Sequence, residues 1–285
     1  MNKYHTYDFP DCRNIVICGD IHGDFNLLVN KVCVQYQMKD TLVIVAGDCG
    51  FGFERKGYYE NIVKRNTKRV NESNNWFLFI RGNHDNPAYF DGKTFRHKRF
   101  TCIPDYSVVK ANGHTILCVG GAISVDRQPR IDAWEHNQRK AHRYSHNSSD
   151  NELLSPNYYW QDEAPVFNND LLSEITNLHK IDTVVTHTAP SFCELQNKDG
   201  LLQWAIYDNS LLDDVQKERD TMDAIYTKLR AESITLTHWY YGHFHQSWHS
   251  SIDRVLFKML DIMELAEITP PEVLANIFKH FCVGK

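Results

Sequence analysis

The stretch NIVICGDIHG at residues 14–23 decides the fold. It begins as a short apolar run rich in β-branched residues and ends in two glycines that flank Asp20 and His22. The stretches TLVIVAGD at 41–48 and WFLFIRGNHD at 76–85 repeat this plan. Each apolar run is continuous and is followed by glycine, which is typical of a strand buried on both faces of a largely parallel sheet. The chain between these runs has apolar residues at helical spacing, so the pattern predicts βαβαβ.

Both types of element continue along the chain. Further elements are predicted by the same criteria at 106–110, 115–119, 182–186, 212–229 and, after a capping box, from Thr269 onward. The dipeptide Asn112-Gly113 favours a tight hairpin turn, so the two strands beside it are expected to pair antiparallel.

The composition excludes several classes of protein. The 285 residues carry a formal net charge of −5, and 42% of them are hydrophobic, which is enough to build a sizeable core. No apolar run approaches the roughly 18 residues that a membrane helix needs, and the first residues lack the apolar segment of a secretion signal. The mild acidity gives no electrostatic footprint for nucleic acid. We therefore expect a cytoplasmic protein with no membrane partner, and its oligomeric state is not indicated.

The segment 127–169 differs from the rest of the chain. It is rich in Asn, Ser, His, Arg and Asp and has no clear apolar periodicity. Long segments without regular structure are unusual in compact domains and are often functional coverings. We predict a single domain over residues 1–285, with an irregular insert at about 127–169 near the active site.

Residues of metal-ligand type follow the predicted strands. The carboxyl ends of parallel strands meet in one crevice, where open α/β sheets place their ligands. The candidate ligands are Asp20, His22, Asp48, Asn83, His187, His243 and His245. In GHFH at 242–245, alternation along an extended chain is expected to point both imidazoles to one side. Seven nitrogen and oxygen donors are too many for one tetrahedral ion and suit two ions that share a carboxylate.

The ordered series GDIHG, GD, GNHD, TH and GHFH resembles the calcineurin-like metallophosphoesterase superfamily. The stretches GGAISVDR at 120–127, followed by Arg130, and YYWQDE at 158–163 resemble stretches in its bacterial and phage members. The resemblance runs from Asp20 to His245. It implies an α/β fold, a four-layer α/β/β/α sandwich of two mixed sheets, with a two-metal centre at the strand ends.

The resemblance also implies a role for each residue. Asp20, His22 and His245 would hold one ion, Asn83, His187 and His243 would hold the other, Asp48 would bridge them, and His84 would be the catalytic histidine. The expected reaction is hydrolysis of a phosphomonoester or phosphodiester by a hydroxide that bridges two metal ions, with His84 as general acid. This ligand set suits Mn, Fe, Ni or Zn, and we favour Mn.

One departure from the superfamily concerns the second motif. Phosphoprotein phosphatases extend it to GDxVDRG, whereas this chain has GDCGFG, with Phe51 at the position of the second Asp. This counts against a Ser/Thr protein phosphatase. A small-molecule or nucleotide phosphate ester is the expected substrate. The alternatives are a nuclease, a Ser/Thr protein phosphatase, and a catalytically silent metal-binding scaffold or interaction protein.

Two arginines at the start of the insert are candidate substrate residues. The guanidinium groups of Arg127 and Arg130 could bind a phosphate in bidentate fashion. In the alternative interpretation they are structural and pair with Asp126, Asp132 or Glu135. Both interpretations stay open at the level of sequence.

Overall fold

The protein contains two mixed sheets packed face to face. The computed structural model describes residues 4–54, 57–144, 159–193, 200–232 and 235–268, with the backbone alone at 134 and 137–144. The strands are β1 (Thr6–Phe9), β2 (Asn14–Cys18), β3 (Thr41–Val45), β4 (Trp76–Phe79), β5 (Phe100–Cys102), β6 (Ser107–Ala111), β7 (His114–Val119), β8 (Thr183–Thr186), β9 (His238–Tyr241), β10 (Trp248–Ile252), β11 (Val255–Met259) and β12 (Leu265–Glu267). One sheet has the order β1-β6-β7-β8-β9-β11-β10, and the other has the order β12-β2-β3-β4-β5.

Several helices lie between the strands in chain order. They are α1 (Phe25–Asn30), continued by a π-helical turn at Lys31–Gln35, α2 (Tyr58–Glu72), α3 (Arg127–Tyr144), α4 (Asn169–Leu178), α5 (Leu201–Trp204) and α6 (Leu211–Glu232). A 3₁₀ turn lies at Pro87–Tyr89. Among the described residues no helix is both long and apolar enough to cross a membrane.

The apolar strands are continuous because both of their faces are buried. In β2, Ile15 and Ile17 join a core between the two sheets, and Val16 and Cys18 join a core between the sheet and helices α1 and α2. On the other side, α4 and α6 pack on the seven-stranded sheet through a third core that includes Leu172, Met222 and Trp239. The layers therefore run α/β/β/α, as the resemblance implied.

Most of the predicted elements are present. Strands β2, β3 and β4 pair in parallel, and β6 and β7 form the expected antiparallel hairpin around Asn112-Gly113. The helix predicted from Thr269 onward lies outside the described residues.

The prediction of an irregular segment is wrong at its beginning, because α3 spans Arg127–Tyr144. This helix is strongly polar, so it has no apolar stripe for a periodicity argument to detect. Pairs four residues apart support its first turns instead, since Arg130 bonds Asp126 and Gln128 bonds Asp132. Residues 145–158 of the predicted insert lie outside the described residues.

Candidate metal centre

Glycines allow the loops after the strands to approach one another closely. A Cβ atom at Gly82 would lie 2.1 Å from Asp48 Oδ1, and one at Gly242 would lie 2.2 Å from Asp20 Oδ1. A side chain at Gly242 would require the Asp20 carboxylate to move, and one at Gly82 would require the backbone of Asp48 to move as well, since its nitrogen would lie 2.2 Å from the added Cβ. The glycine before Asn83 and the glycine before His243 are therefore required by the packing of the centre.

One group of donors is centred on Asp20, which is fully buried. Its Oδ1 accepts the backbone N–H of His243 at 3.0 Å. Its Oδ2 has no hydrogen bond of normal geometry in the described part of the chain, although His245 Nε2 lies 3.0 Å away. His22 Nε2 lies 3.0 Å from His245 Nε2 and 3.9 Å from Asp20 Oδ2. With Asp48, these residues offer one ligand atom each within 4.8 Å of one another, which suits a metal ion.

A second group is centred on His187, which is also fully buried. Its Nδ1 lies 2.7 Å from the carbonyl oxygen of Ala46, so this nitrogen must carry the proton and donate. In the neutral ring Nε2 then presents a lone pair, 3.0 Å from Asn83 Oδ1 and 3.3 Å from Asp48 Oδ1. Three acceptors this close require a shared cation or a proton, so these residues also fit a metal ion.

His243 completes the set, because its ring centroid lies 4.9 Å from that of His187. The expected extended chain is not what brings His243 and His245 together. Strand β9 ends at Tyr241, and both histidines have left-handed backbone, with φ of 71° and 52°. His22 and Asp48 are left-handed too, each with φ of 43°. Such conformations cost about 1–3 kcal/mol each and cluster at functional sites.

The ionisation of these groups is strongly coupled. Burial opposes charge on Asp48, but His187 and His84 outweigh it and hold the pKa of that carboxyl well below its usual range. Burial likewise lowers the pKa of His187, but Asp48 and Asp20 outweigh it and raise that pKa to about 9. The carboxylates therefore stabilise positive charge at the imidazole nitrogens. A divalent ion bound there would supply that charge in place of protons.

The family assignment follows from this donor set and from the whole sequence. The sequence model of the calcineurin-like phosphoesterase family matches residues 13–247, which include all seven candidate ligands. The chain belongs to the calcineurin-like phosphoesterase family. It is therefore a hydrolase of phosphate esters, and its family implies divalent metal ions. No curated protein is significantly similar to it in sequence.

Several solved structures resemble this phosphoesterase. Protein TT1561 of Thermus thermophilus is 10% identical, with 90% of this chain and 99% of that chain covered and a TM-score of 0.48. A phosphopantetheinyl hydrolase of Mycobacterium tuberculosis is 14% identical, with 92% and 98% covered and a TM-score of 0.42. A dimetal phosphatase of Danio rerio is 10% identical, with 92% and 90% covered and a TM-score of 0.42.

His84 lies beside the donor groups of this phosphoesterase. Its backbone N–H donates to Asp48 Oδ1 at 2.9 Å, and its Nε2 lies 3.9 Å from Asp48 Oδ2. Arg130 Nη1 lies 2.8 Å from His84 Nδ1, and Asp126 holds the same guanidinium at 2.7 and 2.9 Å. Burial lowers the pKa of His84, against the charge of Asp48 and with a contribution from Arg130.

The two candidate arginines have different surroundings. Arg130 lies at His84 and pairs with Asp126, as the structural interpretation expected. Arg127 is buried, and its Nε and Nη2 donate to Asp208, Ser210 and Asp214 at 2.6–2.8 Å. These are not the expected partners, because they belong to the start of α6 and the loop before it. Arg127 therefore anchors α3 to α6, which favours a structural role for it.

Phe51 and Asp85 connect the second and third motifs. Phe51 is fully buried among aromatic rings of the core below the site, so no carboxylate occupies that position next to His84. Asp85 accepts four backbone N–H bonds of 2.7–2.9 Å, from Gly82, Cys49, Gly50 and Phe51. Its carboxylate fixes the loop of Asp48 to the loop of Asn83.

Sequence reasoning missed three residues that support the site. Asp85 stands in the quoted motif RGNHD, but its acceptor role depends on a loop 36 residues away. Ser124 and Glu163 form buried hydrogen bonds next to Asn83. Both lie in or beside the 127–169 segment, where no periodic signal marks them.

A cavity of about 260 Å³ adjoins the centre. It is lined by His22, Gly23, Gly50, Phe53, Glu54, Tyr58 and His84. Two aromatic side chains and two histidines thus face a space just below the usual volume of small-molecule sites, which is roughly 300 to 1,000 Å³.

Proposed function

We propose that this phosphoesterase binds two divalent ions and hydrolyses a small-molecule or nucleotide phosphate ester. Asp20, His22 and His245 would hold one ion, Asn83, His187 and His243 the other, and Asp48 would bridge them. The observation that carries the proposal is the crowding of acceptor atoms around His187 Nε2, at 3.0 Å from Asn83 Oδ1 and 3.3 Å from Asp48 Oδ1. The buried Asp20 Oδ2 lies 3.0 Å from His245 Nε2 and has no hydrogen bond of normal geometry among the described residues, which supports a metal ion in the other group.

Each residue has a separate task in the proposed reaction. When bound, two divalent ions would activate a water molecule and polarise the phosphoryl oxygens. His84 donates a proton from Nε2 to the departing oxygen, because an alkoxide is a poor leaving group. Arg130 presents the positive charge of its guanidinium to the phosphoryl oxygens, while its Nε and Nη2 pair is held by Asp126. Mn²⁺ is the proposed ion, since mixed imidazole, carboxylate and amide donors accommodate it.

The cavity supports a small leaving group. It includes His84, so the departing part of the substrate would lie on the side from which the proton comes. Its aromatic side chains, Phe53 and Tyr58, suit a planar group such as an aryl ring or a base. Phe51 stands where phosphoprotein phosphatases have an acid, which supports a substrate other than a phosphoprotein.

A substrate panel tests the proposal. The protein is loaded with Mn²⁺ and incubated with p-nitrophenyl phosphate, bis-p-nitrophenyl phosphate, cyclic nucleotides and single-stranded DNA. Turnover of the small esters with little cleavage of DNA is the expected result. Cleavage of DNA above all other substrates would identify a nuclease. Complete inactivity together with no bound metal would contradict the proposal and favour the silent scaffold.

A further inference from the structure

A buried chain of hydrogen bonds runs from Glu163 to the candidate ligand Asn83. Glu163 is 1% exposed, and Ser124 is also 1% exposed. Glu163 Oε1 accepts the backbone N–H of Ser124 at 2.8 Å, and Oε2 accepts the hydroxyl proton of Ser124 at 2.6 Å. Asn83 Nδ2 then donates to Ser124 Oγ at 2.9 Å.

This chain has a fixed direction. A carboxylate only accepts, so the hydroxyl proton of Ser124 must point to Glu163, and the serine oxygen offers its lone pairs to Asn83. The amide group of Asn83 can meet those lone pairs only with its N–H side. Its Oδ1 therefore faces the other way, 3.0 Å from His187 Nε2.

The direction matters because the two ends of an amide have nearly the same shape and opposite polarity. Rotated by half a turn, Asn83 would present N–H groups to the proposed second ion and could not bind it. The other candidate ligands are carboxylates and imidazoles, whose donor atoms depend less on such a choice. Asn83 is thus the ligand that most needs a neighbour to set its orientation.

The segment that carries Glu163 is itself held in place. Arg81, which is buried after β4, donates to the carbonyl oxygens of Asp162, Glu163 and Ala164 at 2.8–3.0 Å. The carbonyl oxygen of Glu163 also accepts the N–H of Ala122 at 3.1 Å. The Glu163 carboxylate is therefore fixed to the strand end that supplies Asn83.

We infer that Glu163 and Ser124 are positioning residues that hold the Asn83 amide with its oxygen toward the second metal ion. The inference rests on the proposed two-metal centre. It gives a role to the last part of the 127–169 segment, which the metal-ligand motifs do not include. Partners that orient a ligand in this way commonly change metal affinity by about 10–100-fold when they are removed.

Calorimetric titration with Mn²⁺ and metal analysis of the full chain test the inference. Ser124→Ala removes the acceptor of the Asn83 amide, and Glu163→Gln replaces one of the two acceptor oxygens by a donor. Each is expected to weaken one of the two Mn²⁺ sites by about 10–100-fold. Ser107→Ala is the matched control, since Ser107 is fully buried and its hydroxyl donates to the Pro104 carbonyl of the β5–β6 connection. It should leave both affinities unchanged.

The Asn83→Asp background separates orientation from general damage. A carboxylate presents an oxygen whichever way it rotates, so Ser124→Ala should change Mn²⁺ affinity less than about threefold in that background. Unchanged binding by both Ser124→Ala and Glu163→Gln would overturn the inference. An equal loss with and without Asn83→Asp would do the same. A wild-type chain that binds no Mn²⁺ would instead contradict the metal centre itself.

Discussion

Arg130 Nη1 lies 2.8 Å from His84 Nδ1. A guanidinium can only donate, so the shorter contact makes His84 Nδ1 the acceptor and the neutral ring keeps its proton on Nε2, which lies 3.4 Å from Arg130 Nη2 and 3.9 Å from Asp48 Oδ2. Phosphoprotein phosphatases have an aspartate at the second Asp position of GDxVDRG. Here Phe51 occupies that position in the core, and a cation that Asp126 holds contacts the ring instead.

If His84 is a general acid and not a metal ligand, replacing it should lower turnover and leave metal binding unchanged. His84→Ala should lower kcat by about 10²–10⁴-fold, the usual contribution of a general acid, because the leaving oxygen loses its proton donor. Metal content should stay at the wild-type value. Steady-state kinetics and elemental analysis of the same sample measure both. Loss of bound metal in parallel with activity would make His84 a ligand, and the exposed His249 provides a control substitution.

Replacing Arg130 should reduce catalysis, whereas replacing Arg127 should reduce stability. Arg130→Ala should lower kcat/KM by about ten- to a hundredfold, as expected for the loss of a charge-assisted hydrogen bond, with little change in the urea midpoint. Arg127→Ala should lower the free energy of unfolding by about 3 kcal/mol, because it removes the cation that Asp208 pairs with and leaves Asp214 with Lys217 alone. Equal stability losses for the two variants would contradict this division.

Gly242→Ala should weaken metal binding through sterics alone. The added Cβ would lie 2.2 Å from Asp20 Oδ1, so this carboxylate must move. We expect Mn²⁺ affinity to fall by at least about tenfold in calorimetric titration. Gly113→Ala is the control, since its Cβ would meet nothing within 4 Å, although its φ of +79° makes the turn less stable. If Gly242→Ala binds Mn²⁺ with wild-type affinity, the loops can move apart to accept a side chain, and the glycine is not required for metal binding.

His238 predicts a pH dependence of stability that is independent of catalysis. Burial lowers the pKa of His238 to about 4, with His114 acting in the same direction and Asp182 opposing them. An unfolded histidine has a pKa of about 6.5, so the unfolded chain binds the extra proton between about pH 6.5 and 4. The free energy of unfolding should therefore fall by about 3 kcal/mol as the pH decreases through this window.

His238→Phe keeps a ring against Tyr240, where the two rings stack at 5.9 Å, and removes the titration. Urea unfolding of both proteins between pH 7 and pH 4 measures the difference, in which contributions from the metal centre cancel. The variant should gain about 3 kcal/mol relative to wild type at the acid end. Parallel profiles would refute the assignment.

The sequence predicts best what local patterns determine. Continuous apolar runs before glycine identify β2, β3 and β4, and Asn112-Gly113 identifies the hairpin that follows. The hairpin of β10 and β11 has no such dipeptide. Asp253 and Arg254 adopt the left-handed backbone of its turn, so no glycine marks that turn in the sequence.

Sequence patterns do not predict polar contacts between residues that are far apart in the chain. Arg127 bonds Asp208 and Asp214, which lie 81 and 87 positions away, and no spacing rule connects them. The same holds for Ser124 and Glu163, which are 39 residues apart. A polar helix such as α3 also lacks the apolar stripe by which helices are recognised.

Metal reconstitution tests the central claim most directly. The protein is stripped with a chelator, Mn²⁺ is added back, and bound metal per chain and hydrolysis of a phosphate ester are measured on the same samples. The two-metal centre predicts two Mn²⁺ ions per chain, no turnover after chelation, and activity that rises as the second ion binds. Binding of fewer than two ions at saturation, or full activity in the presence of the chelator, would contradict it.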